Sequence, residues 1–206
     1  ARFGLSGLGA HTPRSKAKNS ATVFVGGLRR SSGRLLSCGM DDLLTEPLWR
    51  LAEALERGET SALELTEGYL ARIERLDRSG PTLRAVLCLS PDALGDARRA
   101  DDARRRGEAT GPLYGLPILL KDNIEARSMP TTAGSIALQG SRPERDAAVT
   151  ERLRGAGAVI LGKTNLSEWA NFRSSRSSSG WSSLGGQTRN PYALERNPCG
   201  SSSGSG

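Results

Sequence analysis

Residues 174–205 hold eleven serines and five glycines, so any acyl-transfer chemistry in this chain has nucleophile-type hydroxyls in abundance. A serine needs a base to become a nucleophile. The only histidine is His11, in an N-terminal stretch of different composition, so a Ser-His-Asp triad within the chain is excluded and any such chemistry requires another base. A zinc site built on histidines is excluded on the same ground. Cys38, Cys88 and Cys199 are odd in number and widely spaced, with no Cys-x-x-Cys pair; they form neither a disulfide framework nor a metal motif, and a reducing compartment is the default.

Two lysines sit in motif-like surroundings. Lys163 belongs to Gly157-Ala158-Val159-Ile160-Leu161-Gly162-Lys163-Thr164, a formal match to the phosphate-binding G-x-x-x-x-G-K-[ST] pattern. Positions 158–161 read as an apolar strand and not as a loop that could cradle phosphate before a helix, which argues against nucleotide binding. Lys121 follows a turn-rich lead-in, Gly111 to Pro117, and a short strand Ile118–Leu120. Taken alone it reads as a surface lysine at a strand end.

The Ser/Gly segment has the composition of a flexible linker. Its punctuation argues otherwise: Thr188-Arg189-Asn190-Pro191-Tyr192 and Glu195-Arg196-Asn197-Pro198 carry Asn-Pro turns and charged anchors. Glycine and serine also suit a backbone that must pass close to a substrate.

The elements that would position these residues alternate. Asp41-Asp42-Leu43-Leu44 starts a helix after Met40; Leu48, Leu51, Ala52 and Leu55 recur at helical spacing up to Gly58. Ser61 and Glu64 form a capping-box pattern, and Leu65, Tyr69, Ile73 and Leu76 give the next helix its apolar face before Gly80-Pro81. Val86–Leu89 reads as a short buried strand. Residues 92–106 read as an exposed helix whose arginines are interleaved with Asp96, Asp101 and Asp102, hence a solvated face and not a nucleic-acid patch. Val149–Arg154 reads as a helix and Ala158–Leu161 as a buried strand. Strands alternating with helices define an α/β fold. No apolar run approaches the ~20 residues of a membrane span.

The net charge of +7 is segregated. Residues 1–39 hold seven of the 29 basic residues and no acid, leaving 22 basic against 22 acidic residues in 40–206. The excess describes a tail and not a binding face, so nucleic acid is disfavoured as a partner; a non-catalytic protein holding nucleic acid through this tail is the alternative of another class. The tail's composition also fits an organelle transit peptide, or an upstream extension with the true start at Met40. We expect residues 1–39 to be a basic non-domain tail and residues 40–206 to belong to the folded domain.

The ordered motifs resemble one family. Leu116-Pro117-Ile118-Leu119-Leu120-Lys121-Asp122-Asn123 resembles the G-[IL]-P-…-K-D-N segment of amidase signature enzymes. Gly155-Ala156-Gly157-Ala158 with Gly162-Lys163-Thr164-Asn165-Leu166-Ser167-Glu168-Trp169 resembles their G-A-…-G-K-T-N-…-E stretch. Thr188-Arg189-Asn190-Pro191 to Pro198-Cys199-Gly200-Ser201-Ser202-Ser203-Gly204-Ser205 resembles their T-x-N-P…P-G-G-S-S-G-G-S loop, with Cys199 and Ser203 in place of two glycines. Order and spacing agree from about Leu63 onward, and Asn-Phe-Arg and Gly-Trp-Ser-Ser lean toward the peptide-amidase-like branch.

The resemblance implies an α/β/α sandwich with a mixed central sheet, of which this chain holds the N-terminal portion. It implies a Ser-cisSer-Lys hydrolase of carboxylic amides without metal or organic cofactor, cytoplasmic, and acting on a small-molecule or peptide amide. By motif, Lys121 is the base and Ser201 the bridging serine on a cis peptide bond. Ser202 and Gly200 support the loop, and Asn171 lies near the substrate. The nucleophilic serine and its oxyanion hole are expected roughly two dozen residues beyond Ser201, after Gly206. The alternative within the family is the amidase-type component of a glutamyl-tRNA(Gln) amidotransferase. Oligomeric state is left open by the sequence.

Overall fold

The computed structural model describes residues 39–172 and 174–205. The basic tail, with His11 and Cys38, falls outside the described residues except for Gly39, as do Arg173 and Gly206.

Among the described residues, three α-helices precede the first strand of the sheet. Helix α1 (Met40–Leu43) is a single turn, separated by Pro47 from α2 (Leu48–Glu56). The two are distinct because proline supplies no N–H to a helix interior and fits best at a helix start. Helix α2 buries Leu51, Ala54 and Leu55, and Gly58 follows it at φ +65. Helix α3 (Ala62–Ile73) opens with the expected capping box: Glu64 N–H donates to Ser61 Oγ at 3.1 Å and Ser61 N–H to the Glu64 carboxylate at 2.9 Å. It runs on into a π-helical turn, Glu74–Arg78. Of the predicted apolar face only Leu65 is fully buried; Tyr69, Ile73 and Leu76 are half-buried.

Strand β1 (Val86–Leu89) leads to helix α4 (Ala93–Arg105), strand β2 (Pro117–Lys121), helix α5 (Ala148–Gly155) and strand β3 (Val159–Thr164). The three strands form one sheet in the order β1-β3-β2. Strand β3 pairs parallel with β2 and antiparallel with β1, so the sheet is mixed, as expected. Every residue of central β3 is buried. Strand β1 is an edge strand and only half-buried, contrary to the buried strand expected from its apolar run. Composition alone does not distinguish an edge from a centre. Helices α3 and α4 pack against one face of the sheet. On the other face Leu120, Ala126, Met129, Ala158 and Ile160 form a second apolar cluster, with Leu153 of α5 against it.

Helix α4 departs from the solvated charged helix that was expected. It buries Ala93, Ala97, Ala100 and Ala103, and with them Asp101. Alanines without bulk let the helix approach α3 and the sheet closely. Asp101 then accepts from the first N–H groups of α3, Ala62 at 2.7 Å and Leu63 at 3.0 Å, where the helix dipole favours a carboxylate.

Gly162 and Gly204 are among the glycines that close approach requires. A Cβ on Gly162, in mid β3, would lie 2.2 Å from the Cys88 carbonyl oxygen of β1. A Cβ on Gly204 would lie 2.4 Å from Ala85 O and 2.6 Å from Asn165 O.

Candidate functional site

Successive side chains of a strand point to opposite faces. At the C-terminal ends of parallel β2 and β3 this separates two polar groups. Lys121, the last residue of β2, pairs with Thr164, the last of β3. Lys163 and Asp122 project to the face opposite Lys121.

The Lys121 side meets the serine loop. Lys121 Nζ lies 3.3 Å from Ser201 Oγ and 2.8 Å from Ser202 Oγ. The sequence singled out all three residues, and the fold brings them together across 80 positions of chain. The bond to Ser202 is the shorter, so geometry gives Ser202 a direct partner in Lys121 beyond the loop support expected of it.

The loop is fixed by its backbone. Ser167 Oγ donates to Gly200 O at 3.0 Å, Ser167 N–H to Ser201 O at 3.2 Å, and Gly204 N–H to Asn165 O at 3.0 Å. Ser205 Oγ and Thr164 Oγ1 share a hydrogen bond at 2.6 Å. The Ser/Gly segment is therefore not a linker; its serines and glycines wrap tightly against the ends of β1 and β3. Asn165 is the anchor below it. Its amide group donates to Thr188 Oγ1, Arg84 O and Gly186 O, and its Oδ1 accepts from Ser182 Oγ at 2.7 Å.

The opposite face holds a buried ion pair. Lys163 Nζ donates to Asp122 Oδ1 at 3.2 Å, Pro130 O at 3.1 Å and Thr131 Oγ1 at 3.0 Å, which uses all three protons of an ammonium. Burial pushes the Lys163 pKa down, and the Asp122 carboxylate opposes that shift. The geometry shows no phosphate loop: residues 159–164 are strand, and the lysine of the G-x-x-x-x-G-K-T match is committed inside the protein. Beside this pair Cys88 of β1 has its thiol pKa pushed up, chiefly by burial and then by Asp122. Among the described residues no group of three or more His, Cys, Asp or Glu is placed to hold a metal ion.

Asn171 stands apart from the lysine–serine contact. It lines a groove of about 430 Å³ with Glu168, Ser174, Arg176, Ser177, Ser178 and Trp181. Trp169, Ala170 and Asn171 all have left-handed backbone, φ 51, 53 and 69, and the ring of Trp169 meets Phe172 edge-on. Three such residues in a row hold only where the surroundings over-determine them.

Sequence reasoning missed the buried polar network of Asp122, Lys163 and Thr132, and the separate buried anchor Asn165. One signal pointed there: residues 40–206 contain twenty arginines and only two lysines, Lys121 and Lys163, at adjacent positions of the sheet. Arginine serves an exposed face as well as lysine does. A chain that uses lysine only at its two strand ends needs a compact ammonium or amine there.

These geometries accompany close relationships to known proteins. The family model described as Amidase matches residues 64–206. A probable amidase of Arabidopsis thaliana is 49% identical over 155 residues, covering 74% of this chain and 30% of its own length. A glutamyl-tRNA(Gln) amidotransferase subunit of Thermobifida fusca is 47% identical over 167 residues, covering 81% of this chain and 32% of its own. Among solved structures, the native peptide amidase of Stenotrophomonas maltophilia superposes with a TM-score of 0.76 at 58% identity, over 78% of this chain and 33% of that one. The class defined by this fold and these motifs is the α/β protein with a mixed sheet found in amidases. The chain belongs to the amidase family. It spans about a third of the length of these relatives.

Proposed function

We propose that this chain is the N-terminal part of an enzyme that hydrolyses the carbon–nitrogen bond of a carboxylic amide, with Lys121 as base and Ser201 as bridging serine. The observation that carries the reading is the Lys121 Nζ–Ser201 Oγ contact of 3.3 Å at the end of two parallel strands, where α/β sheets place their sites. In the acylation step Lys121 Nζ takes the Ser201 proton while Ser201 Oγ takes the proton of a nucleophilic serine. The nucleophile's oxygen bonds to the amide carbon. The C–N bond then breaks as the proton returns through the same relay to the leaving nitrogen. Water repeats the sequence on the acyl-enzyme and releases the acid. Ser202, 2.8 Å from Nζ, holds the amine in place while Ser201 turns over its proton.

The substrate of this reading is a small-molecule or peptide amide, and Asn171 is its substrate-proximal residue. Support for the peptide-amidase-like branch is the 58% identity to the S. maltophilia enzyme. The cysteine pattern favours a cytoplasmic setting, and among the described residues no helix is long and apolar enough to cross a membrane. The second reading, the amidase-type component of a tRNA-dependent amidotransferase, rests on the 47% identity to the T. fusca protein.

The test uses the full-length protein. Lys121→Ala and Ser201→Ala are each expected to abolish most hydrolysis of amino-acid and peptide amides in a folded protein, because relay members act as one unit. Near-normal turnover by Lys121→Ala would remove the lysine mechanism. Ammonia release confined to glutamine would favour the second reading.

A further inference from the structure

Among the described residues the Asp122–Lys163 ion pair is buried and unused by the proposed relay, and it is linked to both halves of that relay. Asp122 follows Lys121 directly. Its N–H donates to Thr164 O at 3.1 Å and so extends the β2–β3 ladder one step past Lys121. Its carbonyl accepts from Thr132 N–H at 3.2 Å and Ala133 N–H at 3.1 Å. Its carboxylate accepts from Lys163, from the Thr132 hydroxyl, from Thr132 N–H at 3.1 Å and from Gly134 N–H at 3.4 Å. Asp122 is 1% exposed and Lys163 is fully buried. Nearly every hydrogen-bonding position of this residue is spent on the end of the lysine's strand or on the 132–134 turn.

That turn reaches the serine loop. Ala133 O accepts from Trp169 N–H at 3.0 Å. Ala170 N–H in turn donates to Ser167 O at 2.7 Å, and Ser167 holds both Gly200 O and Ser201 O. A short path of hydrogen bonds and chain links thus runs from Asp122 through Ala133, Trp169, Ala170 and Ser167 to Ser201. Ala133 and Trp169 both have left-handed backbone, at φ 51 in each case. Residues with a Cβ keep that conformation only under external constraint. The constraint at Ala133 is Asp122.

We propose that Asp122, with Lys163 as its counter-ion, is a positioning residue for the Lys121–Ser201 pair. It fixes the strand end that carries the lysine and, through the 132–134 turn and the 167–170 segment, the backbone that carries the serine. The inference rests on the reading of Lys121 and Ser201 as a proton relay. A misplacement on the order of 1 Å between relay atoms costs about 100-fold in rate, so a single residue that sets both partners is a sensitive control point.

Two measurements on the full-length protein test this. Asp122→Asn and the milder Thr132→Val are expected to lower kcat by about 10- to 100-fold with KM nearly unchanged, because the relay and not the substrate groove is displaced. Thr132→Ser, which keeps the hydroxyl, is expected to restore kcat. Hydrogen exchange read by mass spectrometry is expected to rise at residues 199–205 as well as at 130–134 in both variants. Leu51→Ala, in a core cluster that lacks Asp122, is expected to lower stability without raising exchange at 199–205. The proposal is overturned if 130–134 loosens while 199–205 keeps wild-type exchange, or if folded Asp122→Asn or Thr132→Val turns over at the wild-type rate. Should Asp122→Asn fail to fold, Thr132→Val decides. Activity surviving in Lys121→Ala would end the relay reading, whereas the exchange measurement judges the coupling without any need for activity.

Discussion

Gly204 and Asn165 meet backbone to backbone. Gly204 N–H donates to Asn165 O at 3.0 Å, and a Cβ at position 204 would fall 2.6 Å from that same oxygen and 2.4 Å from Ala85 O. The serine loop is seated against β1 and the end of β3 at a distance that only glycine permits. Gly204→Ala is therefore expected to push the loop outward and part Lys121 from Ser201 and Ser202. The obstructing atoms are backbone and cannot rotate away. Overpacking of this kind costs about 1–3 kcal/mol, and the displaced relay about 100-fold in activity. Thermal melting and turnover of the full-length protein check both; a Gly204→Ala variant with unchanged melting and rate would show that the loop is not held this closely.

Cys199 occupies a place where related loops carry glycine, and it has a glycine conformation. Its φ is 63, followed by Gly200 at φ 71. Left-handed backbone costs a residue with a Cβ about 1–2 kcal/mol, and against that relief a glycine costs about 0.4–1 kcal/mol through the added freedom of the unfolded chain. Cys199→Gly is expected to be neutral to stabilising by up to about 1 kcal/mol. Cys199→Val, which adds β-branching to the same backbone, is expected to be destabilising. Denaturant midpoints of the two variants are the measurement; a more stable valine variant would contradict the assignment of strain to this residue.

Asp101 separates two views of α4. On a solvated face it would be one more surface charge, and its removal would change stability by no more than about 0.5 kcal/mol. In the structure it receives two N–H groups at the start of α3 and is 9% exposed. Removing that acceptor strands buried donors, so Asp101→Ala is expected to cost about 2–3 kcal/mol. Asp102→Ala, whose side chain is 49% exposed, serves as the control and is expected to change little. Equal effects of the two substitutions would restore the solvated view.

What was legible in the sequence was local or carried by ordered motifs. The capping box at Ser61 and Glu64, the strands at 118–120 and 158–161 and the meeting of Lys121 with Ser201 all came from short patterns. Asp101 was illegible because its partners lie 38 and 39 positions away, and because alanines among arginines leave little hydrophobic contrast at helical spacing. The Asp122–Lys163 pair was illegible because it exists only once β2 and β3 align in parallel. The left-handed turns at Ala133 and at Trp169–Asn171 carry no glycine at the strained positions, so no turn signal announced them. Their conformation is imposed by long-range hydrogen bonds, and sequence pattern does not report those.

Lys163 makes stability depend on alkaline pH in a definite direction. Its folded pKa lies below the ordinary 10.5, because burial outweighs the attraction of Asp122. Between that depressed value and 10.5 the unfolded chain binds more protons at this site than the folded one. Unfolding takes up a proton there, so the Lys163 contribution to stability rises with pH, by at most about 1.4 kcal/mol per pH unit. Cys88 and Tyr69, whose folded pKa values are raised, act in the opposite sense above pH 9.0 and 10.0. Because Lys163 lowers the Cys88 pKa, the comparison with Lys163→Met is made in a Cys88→Ser background, which isolates the lysine and keeps the tyrosine. Breaking the pair is expected to lower stability by about 3–5 kcal/mol near neutral pH, because Asp122 is left buried without its counter-ion. The difference between Cys88→Ser and the Cys88→Ser, Lys163→Met double variant in urea unfolding is expected to widen as pH approaches 10.5. A difference that narrows over that range would mean that Lys163 is held charged more firmly in the fold than in water, and that its partners outweigh its burial.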